Sequence, residues 1–189
     1  EGDIKESIIK TLFKNGNLKD IVLSSKNNFS FNISKKFKIS NIELLSDINL
    51  EKAHYNFDNA YIKKYIPNFE KKITFSKQKI NIKYKKKIFV EGSGNLQIGE
   101  EKDDIKYKLE HNKNDTKFEL EFDIKKIPLK IDLINFAKNN DQTVNLKIVG
   151  EKKKNFFSFN KIILKKNDDT FYFDNLILSK DLKIKSLKK

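Results

Sequence analysis

The chain has 189 residues, enough for one domain with a buried core, and its 16 phenylalanines argue against a disordered segment. It contains no cysteine, which excludes disulfides, thiol nucleophiles and thiolate metal sites. The net charge of +14 first suggests nucleic acid or an anionic surface such as lipid head groups. All 40 basic residues are lysine, however, whereas arginine makes the bidentate contacts to phosphate and guanine. Codon bias that supplies lysine to a solvated face is the favoured explanation.

The first predicted element is a short amphipathic helix over residues 1–15. Asp3 and Glu6 fit a capping box, and Gly16 suits the left-handed position that ends a helix. We expect this helix to cover an open end or edge of a sheet. A membrane-surface role is the less favoured alternative, because the helix has only about three turns. The apolar stripe consists of Ile4, Ile8, Ile9 and Leu12.

Over residues 17–189 the apolar period changes to two, which predicts a β-meander. The clearest example is Phe118, Leu120, Phe122 and Ile124, which alternate with acidic residues. Strict alternation indicates strands with one polar and one apolar face, as in antiparallel sheets. The predicted fold is therefore mostly β: a long curled antiparallel sheet that forms an open, taco-like groove.

Two kinds of interruption are predicted within this meander. Residues 58–66, ended by Pro67, are predicted to form a short helical insertion of one or two turns. Turn signals include Lys85-Lys86 and Gly92-Ser93-Gly94. A faint repeat relates residues 37–50 to residues 171–184 through the pattern F-x-h-x-N-h-x-L, where h is apolar. Biased composition and true structural repetition explain this pattern equally well.

Catalytic constellations are missing from the sequence. The two histidines, His54 and His111, have no accompanying serine or carboxylate motif, so we expect neither to act as a base. The acidic cluster at 100–104 lacks the ligand spacing and the glycine of a calcium loop, and we assign it to a solvated turn. We therefore predict no enzyme activity, no catalytic residue, no metal site and no cofactor.

The remaining candidate for function is the apolar face itself. In an ordinary sandwich this face packs against a second sheet, whereas in an open trough it accepts a hydrocarbon chain. The alternation of apolar and polar residues is the same for a filled core and for a lined groove, so it does not distinguish between them. The candidate lining residues are Ile73, Phe75, Ile80, Ile82, Ile88, Val90, Phe118, Leu120, Phe122, Ile124, Val144, Leu146, Ile148, Phe157, Phe159, Phe171 and Phe173.

Several segments carry a resemblance to a known family. They are residues 16–59, residues 61–69, the turn at residues 90–94 and the sequence Ile-Pro-Leu-Lys-Ile-Asp at 127–132. Together they resemble the large AsmA-like periplasmic proteins of Gram-negative bacteria, in particular the YhdP-type branch, over most of the chain. The resemblance implies an inner-membrane-anchored rod whose apolar β-groove conducts phospholipids toward the outer membrane. It brings no catalytic residue to transfer to this chain.

The resemblance therefore implies a non-enzymatic segment of a periplasmic lipid conduit that serves outer-membrane biogenesis. Its expected partner is a phospholipid or another acyl-chain lipid. We expect residues 1–189 to be one segment of a larger protein, attached to the inner membrane by a segment outside it. Two alternatives stay open: a β-sandwich binding or scaffold module with a filled core and, less favoured, a basic nucleic-acid-binding domain.

Overall fold

The computed structural model describes residues 18–57, 60–67, 69–138, 142–179 and 183–188. Its main feature is one antiparallel sheet of ten strands, which confirms the prediction of a mostly β fold built on a large antiparallel sheet. The helix predicted over residues 1–15 lies outside the described residues.

The strands of the large sheet are adjacent in the order of the chain, from β1 to β6 and then from β9 to β12. A two-stranded ribbon, β7 (Lys130–Ile131) with β8 (Phe136–Ala137), lies between β6 and β9 in sequence. In the part of the chain that the structure describes, the sheet does not close on itself, since β1 and β12 each pair with one neighbour. The ten strands are β1 (Leu18–Ile33), β2 (Ile39–Asn56), β3 (Lys72–Lys85), β4 (Lys87–Ile98), β5 (Glu101–His111), β6 (Thr116–Ile124), β9 (Val144–Lys152), β10 (Phe156–Lys166), β11 (Asp169–Ser179) and β12 (Ile184–Lys188).

Direct cross-strand pairs show how the alternation sorts side chains between the two sides of the sheet. Ile82 pairs with Val90, Val90 with Leu109, and Leu109 with Phe118. These four side chains form one apolar row across β3 to β6, because directly paired residues point to the same side. We call this side the apolar face. The opposite side, which carries Glu91 and the other charged residues that alternate with the apolar ones along each strand, is the polar face.

Four residues inside strands have a left-handed backbone: Asp20, Asn41, Lys77 and Asn175, with φ of 52°, 50°, 50° and 53°. The pairing with a neighbouring strand shifts next to each of them. Such bulges bend a strand and increase its twist. Asn41 and Asn175 occupy the same position in the faint repeat, so the two copies share a backbone feature as well as a sequence pattern.

The helical insertion predicted near residues 58–66 is not confirmed as an α-helix. The described residues contain no α-helix, and this connection forms only a five-residue 3₁₀ helix, Ala60–Lys64. A segment this short does not offset the cost of nucleating an α-helix, and Pro67 disfavours helical backbone at Ile66. A second 3₁₀ helix, Asp132–Ile134, lies between β7 and β8.

Two connections cover the apolar face at one end of the sheet. The first cover segment consists of the described residues between β2 and β3, which are 57, 60–67 and 69–71, and the second is 125–138, which follows β6. Because β2 and β6 run in the same direction, both connections leave the sheet at the same end. The Lys130 N–H donates to the Tyr65 carbonyl at 2.8 Å, so the two segments touch. The buried core between these segments and the sheet, with residues from both, consists of Phe69, Leu96, Ile98, Ile105, Ile124, Ile127, Leu129, Phe136, Val144 and Leu164.

A buried carboxylate attaches the second cover segment to the sheet. Asp103, in β5, accepts hydrogen bonds from the Lys126 N–H at 3.0 Å and from the Ile127 N–H at 2.8 Å. The buried Lys138 Nζ donates to the Lys125 carbonyl at 2.6 Å. These bonds satisfy backbone groups that the turn after β6 takes out of water. They fix where the segment crosses the apolar face.

The turn predicted at Gly92-Ser93-Gly94 is wrong, because these residues lie inside β4. Both glycines are on the apolar face, where a side chain at Gly92 would clash with the Tyr107 ring and one at Gly94 with the Gln78 side chain. The glycines provide space for the larger side chains of Tyr107 and Gln78 on the neighbouring strands. They do not provide the backbone freedom of a turn.

Candidate functional site

The strand register places all of the predicted lining residues on the apolar face. Paired residues connect them from β3 through β11, for example Phe122 with Leu146, Leu146 with Leu164, and Leu164 with Phe171. The alternation of apolar and polar residues is interrupted at Lys77 in β3 and again where the pairing between β9 and β10 shifts. The apolar residues on either side of each interruption still lie on the same face of the sheet. The structure therefore brings the predicted residues together, in two groups with different surroundings.

The first group lies under the two cover segments and belongs to the core. Ile124 is buried, and Val144 is completely buried with 0% of its surface exposed. The other members pack against the same buried cluster. These side chains are in contact with the protein's own cover and form its core. The group consists of Ile73, Phe75, Phe122, Ile124, Val144, Leu146 and Phe171.

The second group lies outside the buried cluster, and we call it the open apolar region. Ile82 and Val90 are buried among their neighbours, whereas the others are half-buried. Sequence reasoning missed further apolar residues on the same face, including Leu109 and Ile162, although the alternation extends to both. The open apolar region consists of Ile80, Ile82, Ile88, Val90, Phe118, Leu120, Ile148, Phe157, Phe159 and Phe173.

Aromatic rings form the centre of the open apolar region. Phe118 and Phe159 meet edge to face with their centroids 5.8 Å apart, and Phe157 stacks on Phe159 at 6.4 Å. Gly150 pairs with both Phe118 and Phe159. A Cβ at Gly150 would lie 2.9 Å from the Phe118 ring, so the glycine allows this ring to lie flat on the sheet. The result is a largely aromatic surface, with the Lys152 Nζ 5.8 Å from the centroid of the Phe157 ring.

The apolar face continues onto the hairpin formed by β1 and β2. Phe29 pairs with Leu44, and Leu44 pairs with Tyr84 in β3. The Phe29 and Phe31 ring centroids lie 5.4 Å apart, and these side chains are 61% and 42% exposed. The face thus runs from the covered end to a region that nothing among the described residues covers.

The polar face is dominated by ion pairs between neighbouring strands. Lys147 Nζ lies 2.5 Å from Glu119 Oε1, and Lys87 Nζ lies 2.6 Å from Glu110 Oε1. The hydrogen bond from Lys147 lowers the pKa of Glu119, and Glu119 in turn raises the pKa of Lys147. Two open depressions of about 540 and 640 Å³ lie over this face, lined by lysines, glutamates and asparagines together with apolar residues such as Phe89 and Ile48. The charges here are of both signs, and several of them are paired.

The described residues include no group of three histidine, aspartate or glutamate side chains arranged to hold a metal ion. No helix in these ranges is long and apolar enough to span a bilayer. His54 is buried on the polar face, where its Nδ1 lies 2.8 Å from Thr74 Oγ1, and His111 Nδ1 lies 2.8 Å from Thr116 Oγ1.

His54 should make the stability of the protein depend on pH. Burial, followed by the charges of Lys72 and Lys52, lowers the pKa of His54 from 6.5. The unfolded chain therefore binds the proton first, and the free energy of unfolding should fall as the pH drops below about 6.5 toward the folded-state pKa. Urea titrations between pH 8 and pH 5 measure this slope.

The variant His54→Asn should flatten that part of the curve. The matched control, His111→Asn, removes an exposed imidazole and should keep the wild-type fall below about pH 6.5. An equal slope in the wild type and His54→Asn would show that other groups cause the loss of stability.

The fold and the site define a class of protein: a single large antiparallel sheet with an ion-paired polar face and an apolar face that is covered at one end. No protein-family model matches the chain, and no curated protein or solved structure matches it. The resemblance to the AsmA-like family therefore rests on the sequence segments alone.

Proposed function

We propose that the chain is a non-enzymatic lipid-binding segment that holds acyl chains on the open apolar region. In this proposal it belongs to an AsmA-like periplasmic protein of the YhdP-type branch, anchored to the inner membrane of a Gram-negative bacterium. The lipid is a phospholipid or another acyl-chain lipid that passes toward the outer membrane. The segment supplies one stretch of an apolar path.

The observation that carries the proposal is a wide apolar face without a second large sheet against it among the described residues. Contiguous apolar surface of this kind usually marks a site for a partner, a ligand or a membrane. Each methylene of an acyl chain that leaves water here contributes about 0.8 kcal/mol. A nine-residue strand such as β9 is about 30 Å long, which exceeds the length of one extended acyl chain, since two opposed chains make a bilayer core of about 30 Å.

Apart from Lys152 over the Phe157 ring, the contacts within the open apolar region are apolar, which fits movement better than tight capture. Leu120 pairs directly with Ile148, and Phe118 lies next to Phe159, so neighbouring contacts are chemically alike. A chain that slides along such a surface exchanges equivalent contacts at each step. The polar face, with pairs such as Lys147 and Glu119, keeps the other side of the sheet in water.

A crosslinking experiment tests the proposal directly. A photoreactive amino acid at Leu120 or Ile148 should capture lipid in cells, because both side chains face the open apolar region. The matched control positions are Glu121 and Lys147, a direct pair on the polar face of the same two strands. We expect lipid adducts, identified by mass spectrometry, from the first pair of positions and background levels from the second.

Equal capture from the two faces would contradict the proposal. So would adducts from Leu120 and Ile148 that contain only protein. The second outcome would favour the alternative of a binding or scaffold module with a filled core. That alternative draws support from the covered end, where Phe69 and Phe136 already close the apolar face with the chain's own side chains.

A further inference from the structure

The β1–β2 hairpin projects beyond the rest of the sheet. Pairing between β2 and β3 begins at Leu44, whereas β1 and β2 stay paired as far as Ile33 with Ile39. Four to five residues of each strand therefore extend past β3, a length of about 15 Å. This projection lies at the end of the sheet opposite the cover segments. We call residues 30–43 the hairpin tip.

The hairpin tip displays apolar side chains that nothing among the described residues covers. Phe37 is 89% exposed, and Ile33 and Ile39 are 58% and 59% exposed. Phe31 and Ile42 are also exposed. An apolar cluster at the extreme edge of a molecule contributes nothing to its core. It is suited to a partner outside the chain.

The backbone at Phe37 adds a second cost to this exposure. The Phe37 N–H donates to the Ser34 carbonyl at 2.9 Å, and the Ser34 N–H donates to the Lys38 carbonyl at 3.0 Å. Phe37 has φ of 55°, in the left-handed position where a hairpin of this kind favours glycine. A phenylalanine here is unfavourable in both conformation and hydration, and no described contact compensates it.

The charge around the hairpin tip is positive. The hairpin tip contains three lysines, Lys35, Lys36 and Lys38, and one acidic residue, Glu43, which is paired with Lys85 Nζ at 2.6 Å. The other turns at this end also carry lysine, and among their described residues Asp115 is the single carboxylate. At the covered end, the tight turns contain Glu100 and Asp168, whereas the cover segments carry lysines such as Lys63 and Lys130. The turn lysines at the tip end include Lys35, Lys36, Lys38, Lys86, Lys113 and Lys154.

We propose that the hairpin tip docks on an anionic lipid bilayer, with Phe37 and its apolar neighbours in the interface and the turn lysines against the head groups. Aromatic side chains prefer the membrane–water interface, and lysines are attracted to an anionic surface. The tip reaches far enough to enter the outer 5–10 Å of a bilayer, the depth typical of interfacial segments. This docking does not depend on lipid being carried along the apolar face.

The absence of tryptophan from the chain allows a sensitive test. The variant Phe37→Trp places one fluorophore at the tip. Vesicles of phosphatidylglycerol and phosphatidylcholine should shift its emission to shorter wavelength, and added salt should reduce binding, since screening weakens the attraction. Tyr172→Trp is the matched control, because Tyr172 is 60% exposed on the polar face and should stay in water.

Two further variants separate docking from folding. Phe37→Gly should raise the temperature of unfolding, because glycine suits the left-handed backbone, and should weaken vesicle binding about tenfold by removing the aromatic ring. Replacing Lys35, Lys36 and Lys38 by glutamine should weaken binding about a hundredfold, from roughly fivefold per lysine.

The proposal is overturned if emission from Phe37→Trp does not shift with anionic vesicles, or if Tyr172→Trp shifts equally. Equal binding of the protein to vesicles of pure phosphatidylcholine and to vesicles that contain phosphatidylglycerol would overturn the role of the lysines in docking. Release of the protein from vesicles by an oligonucleotide at low stoichiometry would instead identify the tip as a nucleic-acid contact. Because the lipid adducts at Leu120 are measured separately, this proposal and the lipid-binding proposal fail independently.

Discussion

The substitution Asp103→Asn should destabilise the protein strongly and should loosen the second cover segment first. The asparagine amide group has one acceptor oxygen, whereas the carboxylate accepts from the N–H groups of both Lys126 and Ile127. The loss of charge-assisted bonds, with a buried donor left unpaired, should reduce the free energy of unfolding by about 3 kcal/mol. Urea unfolding measures the total, and hydrogen exchange at the two amides reports the local opening.

The neighbouring residue provides a matched control for this substitution. Asp104 is exposed on the polar face, where it accepts a hydrogen bond from Asn95 Nδ2 at 2.7 Å. Asp104→Asn makes the same chemical change one residue away and should alter stability by no more than about 0.5 kcal/mol. Similar losses from the two variants would show that the carboxylate of Asp103 does not anchor the cover segment.

A pair of leucine substitutions should show where the apolar face is filled and where it is open. Leu164 is 0% exposed beneath the cover, and Leu164→Ala should cost about 2–5 kcal/mol of unfolding free energy, since it leaves a cavity. Leu120 lies half-buried in the open apolar region, so Leu120→Ala should cost only about 1 kcal/mol, because water can enter the vacated space.

Both variants make the same change on the same face of one sheet. The difference between their losses of unfolding free energy therefore reports the surroundings of the two side chains alone. Thermal or urea unfolding gives the comparison directly. A loss at Leu120 as large as that at Leu164 would indicate that other parts of the chain pack over the open apolar region. In that case the filled-core alternative would become the better account of the face.

Alternation predicted the sidedness of the sheet well because the period of a strand is fixed by backbone geometry. Phe118, Leu120 and Phe122 lie on one face as expected, and so do the predicted residues of β9 and β10. The same signal did not reveal which part of the face is covered. That depends on where the two cover segments cross the sheet, and the position is set by contacts such as Asp103 with Ile127.

The errors in the predicted elements have local physical causes. Glycines in a sequence suggest a turn, but Gly92 and Gly94 serve to accommodate Tyr107 and Gln78 across the strand. That requirement appears only when the register is known. In contrast, Asn41 and Asn175 were recognised as equivalent in sequence, and both have the left-handed backbone of a bulge. Asparagine tolerates this conformation better than most residues.

The hairpin tip illustrates a different limit of sequence reasoning. Phe31, Ile33 and Ile39 follow the alternation of a core strand, and no pattern in the sequence distinguishes them from buried residues. Their exposure follows from the unequal lengths of β2 and β3, since β3 ends at Lys85 and leaves the tip without a neighbour. Strand length is one of the least certain quantities in a sequence-based prediction.

The strictly sequential strand order has a consequence for how the protein folds. Nearly every ladder joins segments that are close in the chain, and the largest detour is the one between β6 and β9. Closing such short loops costs little entropy, so each hairpin can form and then serve as the template for the next. Assembly can begin at several places and spread sideways in both directions. A chain of this kind tolerates growth by added hairpins, because each new one needs only the strand before it.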